Sequence, residues 1–354
     1  MRAVRFHGRE DIRVDEIEEP VCGSGQVKIR PAFVGICGSD LHEYLAGPMA
    51  VPVHPHPVTG AKLPTTLGHE FSGTIEEVGS GVAGLKVGDK VAVKPNLSDG
   101  TCPRCQIGRI NCCDSLGFIG YSSDAGGLSD HVVVDKKHAV LLPESIPLDI
   151  GALVEPLAVA WHAVSRSPIQ VTDAVLVIGA GPIGLAVVQV LKARGVKNII
   201  VAEVSERRRL FAQTLGATTI LNPTEVDVFA QVRALTGDAG GTDIAFECSG
   251  VQAGLDTAMA SIRVRGTTVI VSLWEKKPVI DAFAIVLFEK HVTGAAVYDD
   301  ADFNAVVEAI ASGEIKPAPM ITSKISMHEV VEKGFRALIN EKDKHVKILI
   351  DINA

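Results

Sequence analysis

The stretch Leu176-Val177-Ile178-Gly179-Ala180-Gly181-Pro182-Ile183-Gly184 decides the fold: an apolar β-type run enters a glycine-rich turn and an apolar helix leaves it. Gly179 permits the tight turn, Gly181 lets the backbone approach a pyrophosphate, and Gly184 allows the helix to pack closely on the strand. Pro182 and Ile183 open the helix, whose free N–H groups and partial positive charge suit phosphate oxygens. About twenty residues further on, at the end of the next β-type run, stands Glu203, placed to accept the two hydroxyls of a ribose. A phosphate on that ribose would be repelled by about 4 kcal/mol for close unit charges at intermediate dielectric, so the spacing predicts NAD rather than NADP. Arg207, Arg208 and Arg209 could counter such repulsion, but on one helix only one or two of them face the nucleotide, and Arg208 is assigned to its adenine side.

Outward from this turn, strand and helix patterns alternate as in a doubly wound parallel sheet. Strands are predicted at Ala174 to Ile178, Asn198 to Ala202, Asp243 to Glu247, Thr268 to Ser272 and Val292 to Ala296. Helices are predicted at Ile183 to Arg194 and Glu206 to Leu215, closed by Gly195 and Gly216. The alternation occupies residues 156–317. Before it, residues 1–155 carry short β-branched runs punctuated by Gly and Pro, a β-rich unit that the tail 318–354 is expected to rejoin through a helix at His328 to Ile339 and a strand at Val346 to Ile350. The class is therefore α/β. A loop from Gly47 to Pro64 holds five prolines, too many for a central strand, and its length makes a functional loop one of two readings, the other being a plain surface insertion.

At 354 residues the chain exceeds one ordinary core, and its 47% hydrophobic but 5% aromatic composition suits aliphatic strands covered by helices. A formal charge of −8 excludes a broad basic surface, so no nucleic-acid partner is expected. The charged first twenty residues contain no secretory core, and the seven cysteines read as thiols of a reduced compartment, which together predict a cytoplasmic protein. The most apolar stretch, Ala174 to Val188, is too short and too rich in glycine to span a membrane.

Cys37, the adjacent His69 and Glu70, and Glu155 offer one thiolate, one imidazole and two carboxylates. Structural zinc is usually closed by four cysteines or histidines, whereas a catalytic ion keeps a position open, and this mixed set suggests the open kind. Singly, each residue has an ordinary structural explanation. As a set beside a dinucleotide turn they point to metal-assisted oxidation of an alcohol.

With Gly35-Ile36-Cys37-Gly38-Ser39-Asp40-Leu41-His42, Gly-His-Glu, the Cys102-Pro103-Arg104-Cys105 lobe, Glu155-Pro156-Leu157 and the glycine turn in this order, the chain resembles the zinc-containing medium-chain dehydrogenase/reductase family over its whole length. Within it, Gly38 to Tyr44, the loop ending in His56-Pro57, and Gly120 with Gly126-Gly127 are most similar to the branch that oxidises 2,3-butanediol, with sorbitol-type polyol dehydrogenases as near relatives. The resemblance implies a GroES-like β-rich catalytic domain, a Rossmann domain, an active site in the cleft between them, and a homodimer or homotetramer formed through the nucleotide domain. It also implies that Cys37 and His69 bind the catalytic zinc directly, with Glu70 and Glu155 sharing the remaining positions either directly or through water. A second, structural zinc is implied at Asp99, Cys102, Cys105 and Cys113, where Asp99 departs from the family's four cysteines and Cys112 is an alternative fourth ligand.

Ser39 is placed to accept the substrate's hydroxyl proton and pass it through the cofactor ribose to His42, whose ordinary pKa of about 6.5 suits release to solvent, while Asp40 orients a zinc-bound imidazole. The leading expectation is NAD-linked interconversion of a small vicinal diol and its hydroxyketone, 2,3-butanediol and acetoin in the butanediol case. A longer polyol such as sorbitol, xylitol or arabinitol is the alternative, with pocket lining from the proline loop and Phe118 to Tyr121 as the discriminator. A non-catalytic nucleotide-binding protein is the reading of another class. The intact ligand set and Ser39 speak against it and against a zinc-free reductase.

Overall fold

A computed structural model describes residues 1–354 and divides the chain into two compact units. The first comprises Met1–Glu155, Asp299–Val307 and Ile321–Ala354; the second comprises Pro156–Tyr298 and Glu308–Met320.

In the first unit the long antiparallel pair Gln26–Gly35 and Glu70–Val78 forms the spine. Lys90–Val93 and then Ala139–Leu141 extend the sheet on one side, Lys347–Asp351 and then Ile321–Ser326 on the other, and Val132–Asp135 pairs with the first half of Gln26–Gly35. Alternate residues of the spine, among them Val27, Ile29, Val34, Phe71 and Ile75, turn inward on Ile348 and Ile350 of the tail strand to make one aliphatic core. The charge-alternating start of the chain is a hairpin of Arg2–Gly8 and Asp11–Glu16. The tail helix expected at His328 to Ile339 is irregular: a single turn at Met327–Glu329, a widened π segment at Val330–Phe335, then Arg336–Asn340. Gly334 in the widened part lies so close to the core that an added Cβ would meet Ile36 Cδ1 at 2.7 Å.

The second unit is a six-stranded parallel sheet in the order Thr219–Leu221, Asn198–Ala202, Ala174–Ile178, Thr242–Glu247, Ile262–Ile270, His291–Gly294. Ala174–Ile178 is central and buried on both faces, which is why its sequence is a continuous aliphatic run rather than an alternation. The crossover reverses beside it, between Ala174–Ile178 and Thr242–Glu247, and ligands of such sheets bind at the carboxyl ends of strands at that switch. No helix is long and apolar enough to cross a membrane.

Candidate active site and metal centres

In the second unit the chain leaves Ile178 through Gly179 at φ 89°, a left-handed conformation that glycine adopts without strain. The helix Pro182–Ala193 starts at once, and a Cβ on Gly184 would collide with the carbonyl oxygen of Gly179. Gly181 has open space in front of it, with the Arg208 guanidinium Nη1 4.0 Å from where a Cβ would stand. Glu203 is buried and tied to this turn: Oε2 accepts the Ala180 N–H at 2.6 Å and Oε1 the Ser205 N–H at 2.8 Å. Each carboxylate oxygen retains a lone pair. The three arginines separate as one helix requires. Arg207 is exposed, Arg208 lies by the turn, and Arg209 donates to the carbonyls of Glu203 and Val204 at 3.1 and 2.7 Å.

Sequence reasoning passed over Glu247, at the carboxyl end of Thr242–Glu247. It is fully buried, and its Oε1 accepts the Ser249 N–H at 2.7 Å, the Gly250 N–H at 2.9 Å and the Ser249 hydroxyl at 2.5 Å, while Oε2 takes the Ser272 hydroxyl. Four donors on one carboxylate bind together the ends of two neighbouring strands at the sheet's carboxyl edge.

In the first unit, ligand atoms of Cys37, His69 and Glu70 lie within 4.8 Å of one another. Cys37 precedes the helix Gly38–Ala46, and its N–H donates to Asp40 Oδ2 at 2.8 Å. His69 and Glu70 lead into Glu70–Val78, where Glu70 pairs in register with Gly35 and so stands close to Cys37. Asp40 Oδ1 is 3.6 Å from His69 Nδ1. Burial pushes the Asp40 carboxyl above its ordinary range, against the opposing pull of His69 and of the Tyr121 hydroxyl. For His69, burial alone would lower the pKa, but Asp40, Cys37 and Glu155 outweigh it and raise the ring to about 10. The negative neighbours that favour a proton there also favour a metal cation. Glu155, in the first turn of Val154–Ser165, acts on both His69 and Lys347 through its charge.

Lys347 is the second residue the sequence did not single out. Its ammonium donates to both oxygens of Glu70 at 2.8 and 2.6 Å and to the Ile36 carbonyl at 3.0 Å, with 1% or less of either side chain exposed. Burial would strip its proton, yet Glu70 and Cys37 reverse the effect and raise its pKa. Ser39 and His42 occupy the first turns of Gly38–Ala46, both half-buried, and the Tyr121 hydroxyl stands 2.9 Å from Ser39 Oγ.

A second group joins Asp99, Cys102, Cys105 and Cys113, again within 4.8 Å, whereas the neighbouring Cys112 is exposed. Backbone N–H groups of Cys105 and Asp114 point at Cys102 Sγ, both at 3.5 Å, and those of Asp99 and Ser115 at Cys113 Sγ, at 3.4 and 3.3 Å. Asp99 Oδ1 accepts the N–H groups of Cys102 and Thr101 at 2.9 and 2.8 Å, which holds this carboxyl well below the usual range. Desolvation and the sulfurs of Cys102 and Cys113 push Cys105 up to about 12. Crowded thiols ringed by N–H donors fit a cation, since it would relieve the repulsion between sulfurs. The donor sets of both groups, sulfur with nitrogen and oxygen or sulfur with one carboxylate, are ones that zinc accepts.

Comparison with known proteins agrees with both halves of this description. Residues 23–144 match the family described as alcohol dehydrogenase GroES-like domain, and residues 182–312 the family described as zinc-binding dehydrogenase. The chain therefore belongs to the zinc-binding medium-chain dehydrogenase/reductase family, with a GroES-like catalytic domain and a Rossmann-type NAD-binding domain. Within that family it is 44% identical to the (R,R)-butanediol dehydrogenase of Bacillus subtilis (strain 168), covering 100% of each chain. The crystal structure of 2R,3R-butanediol dehydrogenase from Bacillus subtilis superposes with a TM-score of 0.93 at 43% identity, covering 99% of each chain. The sorbitol dehydrogenase of the same strain is 32% identical over 99% of this chain and 97% of its own length.

Proposed function

We propose that this zinc-binding dehydrogenase interconverts a small vicinal diol and its hydroxyketone, 2,3-butanediol and acetoin, with NAD as hydride carrier. The observation that carries the reading is the grouping of Cys37, His69 and Glu70 in a chain 44% identical, end to end, to a butanediol dehydrogenase. Cys37, His69 and a carboxylate of Glu70 or Glu155 would hold the catalytic zinc, which when bound supplies Lewis acidity that lowers the pKa of the substrate hydroxyl. Asp40, with Oδ1 3.6 Å from His69 Nδ1, would bias the ring's orientation through its charge rather than through a hydrogen bond. Ser39 accepts the hydroxyl proton, and His42, on the same helix, releases it to solvent. The turn at Gly179 to Gly184 receives the pyrophosphate of NAD, with Glu203 excluding an added phosphate and Arg208 covering the adenine side. Asp99, Cys102, Cys105 and Cys113 would hold a structural zinc.

The loop between Gly47 and Pro64 is pinned to the segment that follows Gly117–Phe118: the Thr59 hydroxyl donates to the Ser122 carbonyl, and the Ser122 hydroxyl to the Ala50 carbonyl at 3.3 Å. Glu43 accepts the N–H groups of Met49, Ala50 and Val51 at the loop's start. A loop so anchored keeps one shape, which suits selection between a short diol and a long polyol. The test is NAD-linked oxidation of the butanediol stereoisomers, sorbitol and xylitol by one preparation in which bound zinc is counted. The butanediols should lead in kcat/KM by more than about tenfold. Equal rates on all substrates, or full activity without metal, would remove the assignment.

A further inference from the structure

One phenol touches Ser39 of the proposed proton path together with Asp40 and His69 of the neighbouring metal site. Tyr121 lies in the tight turn after Gly117–Phe118, where its N–H and that of Ser122 donate to the Phe118 carbonyl at 3.1 and 2.8 Å. It is 3% exposed. Its hydroxyl is 2.9 Å from Ser39 Oγ and 2.7 Å from Asp40 Oδ1, and its ring centroid is 4.7 Å from that of His69.

A phenol carries one proton and two acceptor positions. Asp40 presents both oxygens to donors, Oδ2 to the Cys37 N–H and Oδ1 to the phenol, and a carboxylate is the stronger acceptor. The proton of Tyr121 therefore goes to Asp40. That leaves a lone pair of the phenol oxygen facing Ser39, and only the Ser39 hydroxyl proton can fill it. A serine hydroxyl turns freely unless a partner fixes it. Held by Tyr121, Ser39 keeps its lone pairs available to a proton arriving from substrate. As that proton binds, the serine's own proton leaves Tyr121 for the cofactor side of the path, so Ser39 ends neutral and one proton moves on towards His42. Because Tyr121 comes from a turn 82 positions away in the chain from Ser39, the restraint does not depend on the helix that carries the serine.

We propose that Tyr121 is a positioning residue that fixes Ser39 as a proton acceptor, through the hydrogen-bond pair Ser39–Tyr121–Asp40. The proposal rests on Ser39 being the acceptor, and a double-variant cycle separates the two claims. Tyr121→Phe keeps the ring against His69 and removes both hydrogen bonds. It should lower kcat for diol oxidation about tenfold to a hundredfold, with KM changed by less than about threefold, and with zinc content and NADH affinity unchanged. In a Ser39→Ala background the same change should cost less than about twofold, because there is no hydroxyl left to orient. A Ser39→Ala variant with undiminished kcat overturns the proton path and this proposal together. Impaired Ser39→Ala with normal Tyr121→Phe, additive losses in the double variant, or zinc lost from Tyr121→Phe, overturns the proposal alone.

Discussion

Glu70 and Lys347 meet from positions 277 residues apart, and the pair shows what single residues contribute here. Removing two charges from water costs several kcal/mol each, and the structure offsets this only because the ammonium bridges both carboxylate oxygens and adds the Ile36 carbonyl. Glu70 is thereby a neutralised carboxylate, and any approach to a metal is made in competition with the lysine. Lys347→Met should leave Glu70 charged, buried and unpaired, lowering stability by about 3–5 kcal/mol in denaturant unfolding, whereas Glu70→Gln with Lys347→Met should recover most of it. A single variant as stable as the parent would refute the pairing. In the sequence the lysine is one cation at the head of Lys-Ile-Leu-Ile, a pattern that a side chain reaching out to water would share. Its partner has no local signal, so the pair was not legible. Cys37, His69 and Glu70 were, because zinc chemistry restricts which residue types can serve together.

Among elements, those with a strong period or a required turn were readable, and those set by tertiary packing were not. Ala174–Ile178 and Asn198–Ala202 coincide with their aliphatic runs, since buried parallel strands need side chains that fill both faces. Thr219–Leu221 went unread because three residues carry no period, and only pairing with Asn198–Ala202 makes them a strand. The widening at Val330–Phe335 was hidden for the same reason, as it lies where Gly334 meets the core. The cysteine lobe is an intermediate case: its spacing announces a metal knuckle, but whether a carboxylate can close it depends on backbone geometry. Asp99 uses Oδ1 to cap the turn at Thr101 and Cys102, and its carboxylate lies within 4.8 Å of the three sulfurs. A carboxylate in place of a thiolate binds zinc less tightly. Asp99→Ala should then lose one of the two zinc ions expected per chain and lower the melting temperature, and Asp99→Cys should slow release of that ion to a chelator. Identical metal content and release in all three proteins would show that the lobe holds no zinc.

For the whole molecule, the rhythm of the sequence marked where a β-rich unit gives way to a parallel sheet, because one architecture needs alternating and the other continuous apolar strands. The grouping of Asp299–Val307 with the first unit carries no such mark, since a helical segment reads alike in either setting. What composition also left unstated is the surface of the second unit. His291–Gly294 is an edge strand hydrogen-bonded on one side only, to Ile262–Ile270. Beside it in sequence the short helix Ala282–Leu287 has no buried residue although every residue in it is apolar, and Val279, Phe283 and Val286 are 74, 73 and 77% exposed. Monomers seldom leave an unprotected sheet edge and an apolar run of this kind open to water. The homodimer or homotetramer that the family resemblance implies would cover them, since a strand edge can pair with its own twofold mate in antiparallel fashion and so double the sheet without leaving an open edge. The parent protein should then sediment as a dimer or tetramer at micromolar concentration, and Phe283→Asp with Val286→Asp should shift it towards monomer while zinc stays bound in the other unit. A parent that sediments as a monomer would leave the exposed face unexplained and defeat that expectation.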